Sequence, residues 1–88
     1  QDLCEEVNMK LNETVSLRVK ELLEEQGITQ YQLFIRSGVP QPTISALIRC
    51  LHPKQMLLTI YQLCQGFGIG LTEFFNSPLF DNKNITDE

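Results

Sequence analysis

Cys50, His52 and Cys64 could be proposed as metal ligands, and Cys50 with His52 as a nucleophilic dyad, whereas Gln30, Gln41, Arg36, Arg49 and Lys54 have the capacity for hydrogen-bonded or ionic recognition. The first group does not assemble on spacing. A C-x-H triplet with one distant cysteine offers three ligands in no recognised zinc pattern. Side chains two apart on a helix diverge, so Cys50 and His52 make a poor nucleophilic dyad, and nothing supplies an orienting third group or an oxyanion site. Cys64 falls on an apolar stripe, where a free thiol behaves as a small hydrophobe. With no phosphate-cradling glycine loop and no paired carboxylates, the sequence reads as a non-enzyme without metal, cofactor or small-molecule substrate.

The recognition group sits in a setting that the net charge conceals. Seven basic and eleven acidic residues leave the chain at −4, which at face value disfavours a polyanionic partner, because such binding draws its strength from Lys and Arg displacing counterions. All eleven acids, however, lie in the first 25 positions or from Glu73 onward. Residues 26–72 contain none and hold Arg36, Arg49 and Lys54, so this half is locally +3.

The elements that position these residues must fit a chain of 88 residues, 42% of them hydrophobic. A domain of that size buries only about 60–65% of its unfolded surface, which leaves one thin core and little room for a deep substrate cleft. A compact binding or interaction module is the expected class. No run approaches the roughly 20 apolar residues that span a bilayer, and Asp2, Glu5 and Glu6 occupy the place of the basic and apolar regions of a signal peptide. Three cysteines, an odd number with no CxxC pair, point to reduced thiols and a cytoplasmic protein. In that compartment the Asn-x-Thr triplets at Asn12 and Asn84 are chance matches.

Val15, Val19, Leu22 and Leu23 define one helical face that ends at Gly27. Thr29 and Gln32 form a capping box that opens a short second helix, closed by Gly38. Pro40 and Pro42 suit the first turn of a third helix whose apolar residues are Ile44, Leu47 and Ile48. After a linker around His52, Pro53 and Lys54, the stripe Leu57, Ile60, Leu63, Cys64 and Phe67 makes a fourth helix, and Leu71 to Phe75 a fifth. Five helices with short connections and no period-two alternation predict an all-α fold. The expected division is a polar N-terminal extension over 1–13, a helical domain over 14–76 and a polar acidic tail over 77–88. Leu3, Val7, Leu11 and Val15 recur every four residues, which gives the N-terminal extension the option of a short amphipathic helix.

A second and third helix joined by a tight glycine turn have the pattern of a helix-turn-helix. The run Gly27-Ile28-Thr29-Gln30-Tyr31-Gln32-Leu33, followed by Ser37-Gly38-Val39-Pro40-Gln41-Pro42-Thr43-Ile44-Ser45, resembles the Xre family of lambda-repressor-like DNA-binding domains. The likeness continues through the fourth and fifth helices and covers residues 17–75 without insertions. It implies a five-helix lambda-repressor-like fold and a sequence-specific, DNA-binding transcriptional regulator of prokaryotic or phage type. By the resemblance, Gln30 would donate to a DNA phosphate at the start of helix two, and Gln41 would read a base edge at the start of the recognition helix, residues 41–49. Pro42, Thr43 and Ala46 share the base-reading face, while Ser45, Arg49 and Lys54 would hold the DNA backbone.

Three positions depart from the family. Phe34 stands where a small Ala or Ser is usual, so either the motif helices separate slightly or Phe34 turns outward. Arg49-Cys50 replaces a residue-plus-glycine ending, so a non-glycine must take the left-handed cap or the turn differs. Glu24-Glu25 stands where many relatives carry basic residues, which lowers the expected strength of binding. Phe74, Phe75, Leu79 and Phe80 exceed what a final helical turn can bury, so Phe75, Leu79 and Phe80 are candidates for a homodimer contact, in keeping with the family's use of two half-sites on double-stranded DNA. The rival reading is a protein-interaction module on the same fold, an antitoxin-like partner.

Overall fold

The computed structural model describes residues 9–51, 57–81 and 85–86. Five α-helices carry the architecture: α1 (Leu11–Gln26), α2 (Gln30–Ser37), α3 (Gln41–Ile48), α4 (Leu57–Phe67) and α5 (Leu71–Phe75), so the all-α expectation from periodicity holds. Each helix contributes to one core. Val15, Val19 and Leu22 of α1 meet Leu33 of α2, Ile44 and Leu47 of α3, Ile60, Leu63 and Phe67 of α4 and Phe74 of α5, with Val39 inserted from the α2–α3 turn.

Chain reversals follow from local chemistry. The α1 end at Gly27, with φ 65°, pairs the Gly27 N–H with Glu24 O and the Ile28 N–H with Leu23 O. At the end of α4, Gly68, φ 75°, does the same with Gln65 O and Ile69 with Cys64 O. Helix α3 ends in the same double hydrogen bond, Cys50 N–H to Leu47 O and Leu51 N–H to Ala46 O, but here a cysteine adopts the left-handed backbone, φ 58°. Of the two outcomes open at Arg49-Cys50, the non-glycine cap is the one realised. The cap keeps its hydrogen bonds and carries strain in place of glycine.

Helix α1 does more than supply apolar area. Three polar residues on or beside its inner face each bind the C-terminal carbonyls of a different helix. Ser16 Oγ donates to Ile48 O of α3 at 2.6 Å, Gln26 Nε2 donates to Phe67 O of α4 at 2.8 Å, and Arg18 donates from Nε to Phe74 O at 2.7 Å and from Nη2 to Glu73 O at 2.8 Å, both in α5. Carbonyls in the last turn of a helix have no intrahelical donor, so α1 supplies donors to three ends that the core would otherwise bury unsatisfied. Arg18 also pairs with Glu21 at 2.8 Å.

Two further elements are too short to show a sequence period. Strand β1 (Met9–Lys10) pairs in parallel with β2 (Ile85–Thr86), Met9 opposite Ile85 and Lys10 opposite Thr86. A single 3₁₀ turn, Pro78–Phe80, is capped by Ser77, whose Oγ accepts from Leu79 N–H at 3.2 Å. Helix α1 starts at Leu11, three residues ahead of the boundary read at 14, with the Glu13 carboxylate accepting from Lys10 N–H at 3.0 Å. Leu11 is exposed, so the four-residue stripe that includes it does not continue the buried face of Val15; Leu3 and Val7 lie outside the described residues.

Candidate nucleic-acid interface

The α2–α3 unit is built by caps. Thr29 Oγ1 accepts from Gln32 N–H at 3.1 Å and Gln32 Oε1 accepts from Thr29 N–H at 2.9 Å, the reciprocal box that the sequence predicts. Gly38, φ 80°, closes α2 with its N–H on Phe34 O. Ser37 Oγ then accepts from Val39 N–H at 3.1 Å, and buried Val39 anchors the three-residue turn. Pro40 caps α3 from an extended backbone, and Pro42 occupies its first turn, where a missing N–H costs little.

These caps fix which side of α3 looks outward. Ile44 and Leu47 are fully buried, so Pro42, Ala46 and Arg49, at i, i+4 and i+7, run along the opposite side with Ser45 beside them. Gln41, Pro42 and Arg49 are exposed, whereas Thr43, Ser45 and Ala46 are half-buried. Gln41 stands at the first position of α3 and Gln30, also exposed, at the first position of α2. Lys54 and His52 lie outside the described residues.

The electrostatics of this side are simple. Arg36 and Arg49 are exposed and have no carboxylate partner among the described residues. The acidic groups Glu13, Glu21, Glu24 and Glu25 are exposed on α1 instead. Cys64 is buried in the core, where burial pushes its thiol above the ordinary value and the Arg18 charge only partly opposes the shift. It is held as a neutral thiol, an apolar neighbour for the α4 stripe.

Phe34 does not turn fully outward. It is half-buried against the core and its ring lies 6.0 Å from Tyr31 at 60°. The tight approach of α2 falls on α4 instead: a Cβ on Gly66 would stand 2.7 Å from Ser37 Cβ. Phe75, Leu79 and Phe80 are all half-buried. Phe80 packs edge-on to Phe75 at 4.9 Å, and Phe75 edge-on to Phe74 at 5.0 Å, so these rings serve first to close the end of the core. Ser16, Arg18 and Gln26 are the positioning residues that sequence reading missed. Arg18 and Gln26 carried a signal, since both fall on the Val15, Val19, Leu22 stripe.

A helix-turn-helix family model matches residues 19–74, which spans all of α2, α3, α4 and α5 apart from the final residue of α5. The chain belongs to the helix-turn-helix family. This helix-turn-helix protein is also similar to the crystal structure of the wild-type restriction-modification controller protein C.Esp1396I, with a TM-score of 0.69 and 25% identity over 74% of this chain and 83% of that one. The crystal structure of a tyrosine-to-phenylalanine point mutant of the same controller protein gives a TM-score of 0.70 at 25% identity, covering 76% and 86%. Among curated protein sequences there is no match. Family and neighbours are regulatory DNA-binding proteins, and the helix-turn-helix protein described here is a DNA-binding transcriptional regulator. No helix among the described residues is long and apolar enough to cross a membrane.

Proposed function

We propose that this protein is a sequence-specific regulator of prokaryotic type, without enzymatic activity, that acts in the cytoplasm as a homodimer on an inverted repeat in double-stranded DNA. The observation that carries the reading is the outward face of α3: Gln41, Pro42 and Arg49 exposed on a helix whose opposite side is locked into the core, within a stretch that has no acidic residue. Gln41 reads a base through its amide, which pairs bidentately with adenine. Pro42, Thr43 and Ala46 line the groove beside it, and Gln30, Ser45, Arg49 and Lys54 hold phosphates. Similarity to restriction-modification controller proteins supports the regulatory role.

The test is selection of bound duplexes from random DNA followed by titration across salt. Three or four cationic contacts per subunit predict a log-log salt slope of about −5 to −7 for the dimer. Gln41→Ala should cost about 1–3 kcal/mol on the selected site and relax preference at one base pair per half-site. Binding without sequence preference, indifferent to Gln41→Ala, would sink the reading. Binding to a protein partner that barely responds to salt is the outcome expected of an antitoxin-like module.

A further inference from the structure

Ser16 lies in the first half of α1 and is 1% exposed. A buried hydroxyl is costly unless it is paired, and this one donates to Ile48 O at 2.6 Å, 32 positions away. Ile48 is the last residue of α3, and its carbonyl belongs to the same rigid peptide plane as the Arg49 N–H. That N–H donates to Ser45 O at 3.0 Å. The plane that leads into Arg49 is therefore held at both ends, by α3 through its N–H and by α1 through its carbonyl.

Beyond that plane the backbone leaves the helix. Arg49 has φ −87° and ψ 1°, in the sparsely allowed bridge between the main basins, and Cys50 is left-handed at φ 58°. Strained backbone persists only where its surroundings over-determine it. The bonds from Cys50 and Leu51 N–H to Leu47 and Ala46 O are local to this cap, whereas the Ser16 bond ties the cap to the frame of the domain. Arg49 itself is exposed, with no carboxylate partner among the described residues.

We propose that Ser16 is a positioning residue for DNA binding: from inside the core it sets the direction in which Arg49 leaves α3 toward the phosphate backbone. A group that grips a ligand has to be held within about 0.5 Å and 10–20° of its productive geometry, by residues that need not touch the ligand themselves. The start of α3 is secured separately. Pro40 O accepts from Thr43 and Ile44 N–H at 3.0 and 3.1 Å, and buried Val39 precedes it. Removing the Ser16 hydroxyl therefore loosens the Arg49 end of α3 and leaves the Gln41 end in place. The assignment rests on the reading of this protein as a DNA-binding regulator that grips phosphate through Arg49, and its test separates the two.

The probe is the fluorescently labelled duplex selected from random DNA, titrated with the full chain across a salt series. Ser16→Ala should weaken binding by about 10–30-fold at about 0.15 M salt and make the log-log salt slope shallower by about 1–2, the change expected when each subunit of the dimer loses one phosphate contact. Arg49→Ala should show the same loss, and Ser16→Ala should add nothing to it, because the group that Ser16 positions is already gone. Preference at the base pair read by Gln41 should be unchanged. Cys64→Ala, a truncation in the α4 side of the core, should bind like wild type.

Ser16→Ala that binds like wild type, a weakened Ser16→Ala with an unchanged salt slope, or the same further loss in the Arg49→Ala background overturns the positioning role. Ser16→Cys keeps the volume and donates only weakly. It should show the same pattern and is judged by the same outcomes where circular dichroism shows Ser16→Ala to be unfolded. Wild type that binds without site preference or salt dependence refutes the DNA-binding reading and the assignment with it. Wild type and Arg49→Ala that behave as expected beside a Ser16→Ala protein that binds like wild type overturn the assignment alone.

Discussion

Replacing Gly66 by alanine adds one methyl group where α4 crosses α2. The new Cβ would stand 2.7 Å from Ser37 Cβ, 3.0 Å from Leu33 Cδ1 and 3.1 Å from Ser37 Cα. Carbon pairs rest at about 3.5–4.0 Å, so the nearest pair must part by about 0.8–1.3 Å. The Leu33 methyl can rotate away, but Ser37 Cα and Cβ move only with their helix, so α2 must retreat as a unit. Two effects oppose each other. Alanine is better than glycine in a helix interior by about 1 kcal/mol, whereas overpacking costs about 1–3 kcal/mol, here toward the upper end because backbone is involved. The net expectation is a loss of about 1–2 kcal/mol, a fall in Tm of roughly 5–15 °C for a domain of this size. Urea and thermal unfolding followed by circular dichroism, at one fixed protein concentration, measure it. A Ser37→Gly background removes the nearest atom at the cost of the Val39 N–H bond, so the double-mutant cycle should show a favourable coupling of about 1 kcal/mol. A Gly66→Ala protein as stable as wild type, or strict additivity in the cycle, would refute this account of the crossing.

Arg18→Met should cost about 2–4 kcal/mol, because the carbonyls of Glu73 and Phe74 lose charged donors, and Arg18→Lys should recover less than half of it, since a single ammonium cannot reproduce the two-pronged fork; urea midpoints of the three proteins decide. Cys50→Gly should stabilise by about 0.5–1 kcal/mol, the left-handed strain of about 1–2 kcal/mol being relieved against the greater unfolded-state entropy of glycine, and a lower Tm would contradict it. The thiol of Cys64 is raised in the folded state, first by burial and less the Arg18 charge. Its contribution to stability is therefore fully present below the unfolded thiol value and is lost as pH climbs through that value toward the folded one. The stability difference between wild type and Cys64→Ala should be constant from pH 6 to about 8 and shrink above about pH 9, as unfolding titrations across that range will show.

Much of the fold was legible because its boundaries are set by single residues with local reasons. Gly27, the Thr29–Gln32 box, Gly38, the prolines of α3 and Gly68 each stop or start a helix through backbone chemistry that acts over four or five residues. Gln30 and Gln41 were legible for the same reason, since a cap fixes the first helical position after it. What escaped was long-range. Nothing within five residues of Arg18 says that it will reach Phe74, 56 positions away, and an arginine on a helix is ordinarily read as solvated. The two-residue pairing of Met9–Lys10 with Ile85–Thr86 is shorter than any period. The 3₁₀ turn that brings Phe80 beside Phe74 and Phe75 is likewise too short to show in a sequence period. Leu57 was read onto the apolar stripe of α4 because its hydrophobicity alone was counted, yet it is exposed.

The three donors of α1 bear on how far the motif is a transferable part. Ser16, Gln26 and Arg18 close the ends of α3, α4 and α5 across separations of 32, 41 and 56 residues. A fragment beginning after α1 would retain every side chain of α3 and yet leave three helix termini without these donors and one wall of the core missing. The α2–α3 pair and its frame are thus one cooperative object. Transplanting α2 and α3 without the Ser16, Arg18 and Gln26 positions of the first helix would deliver a helix pair without the contacts that hold it in register.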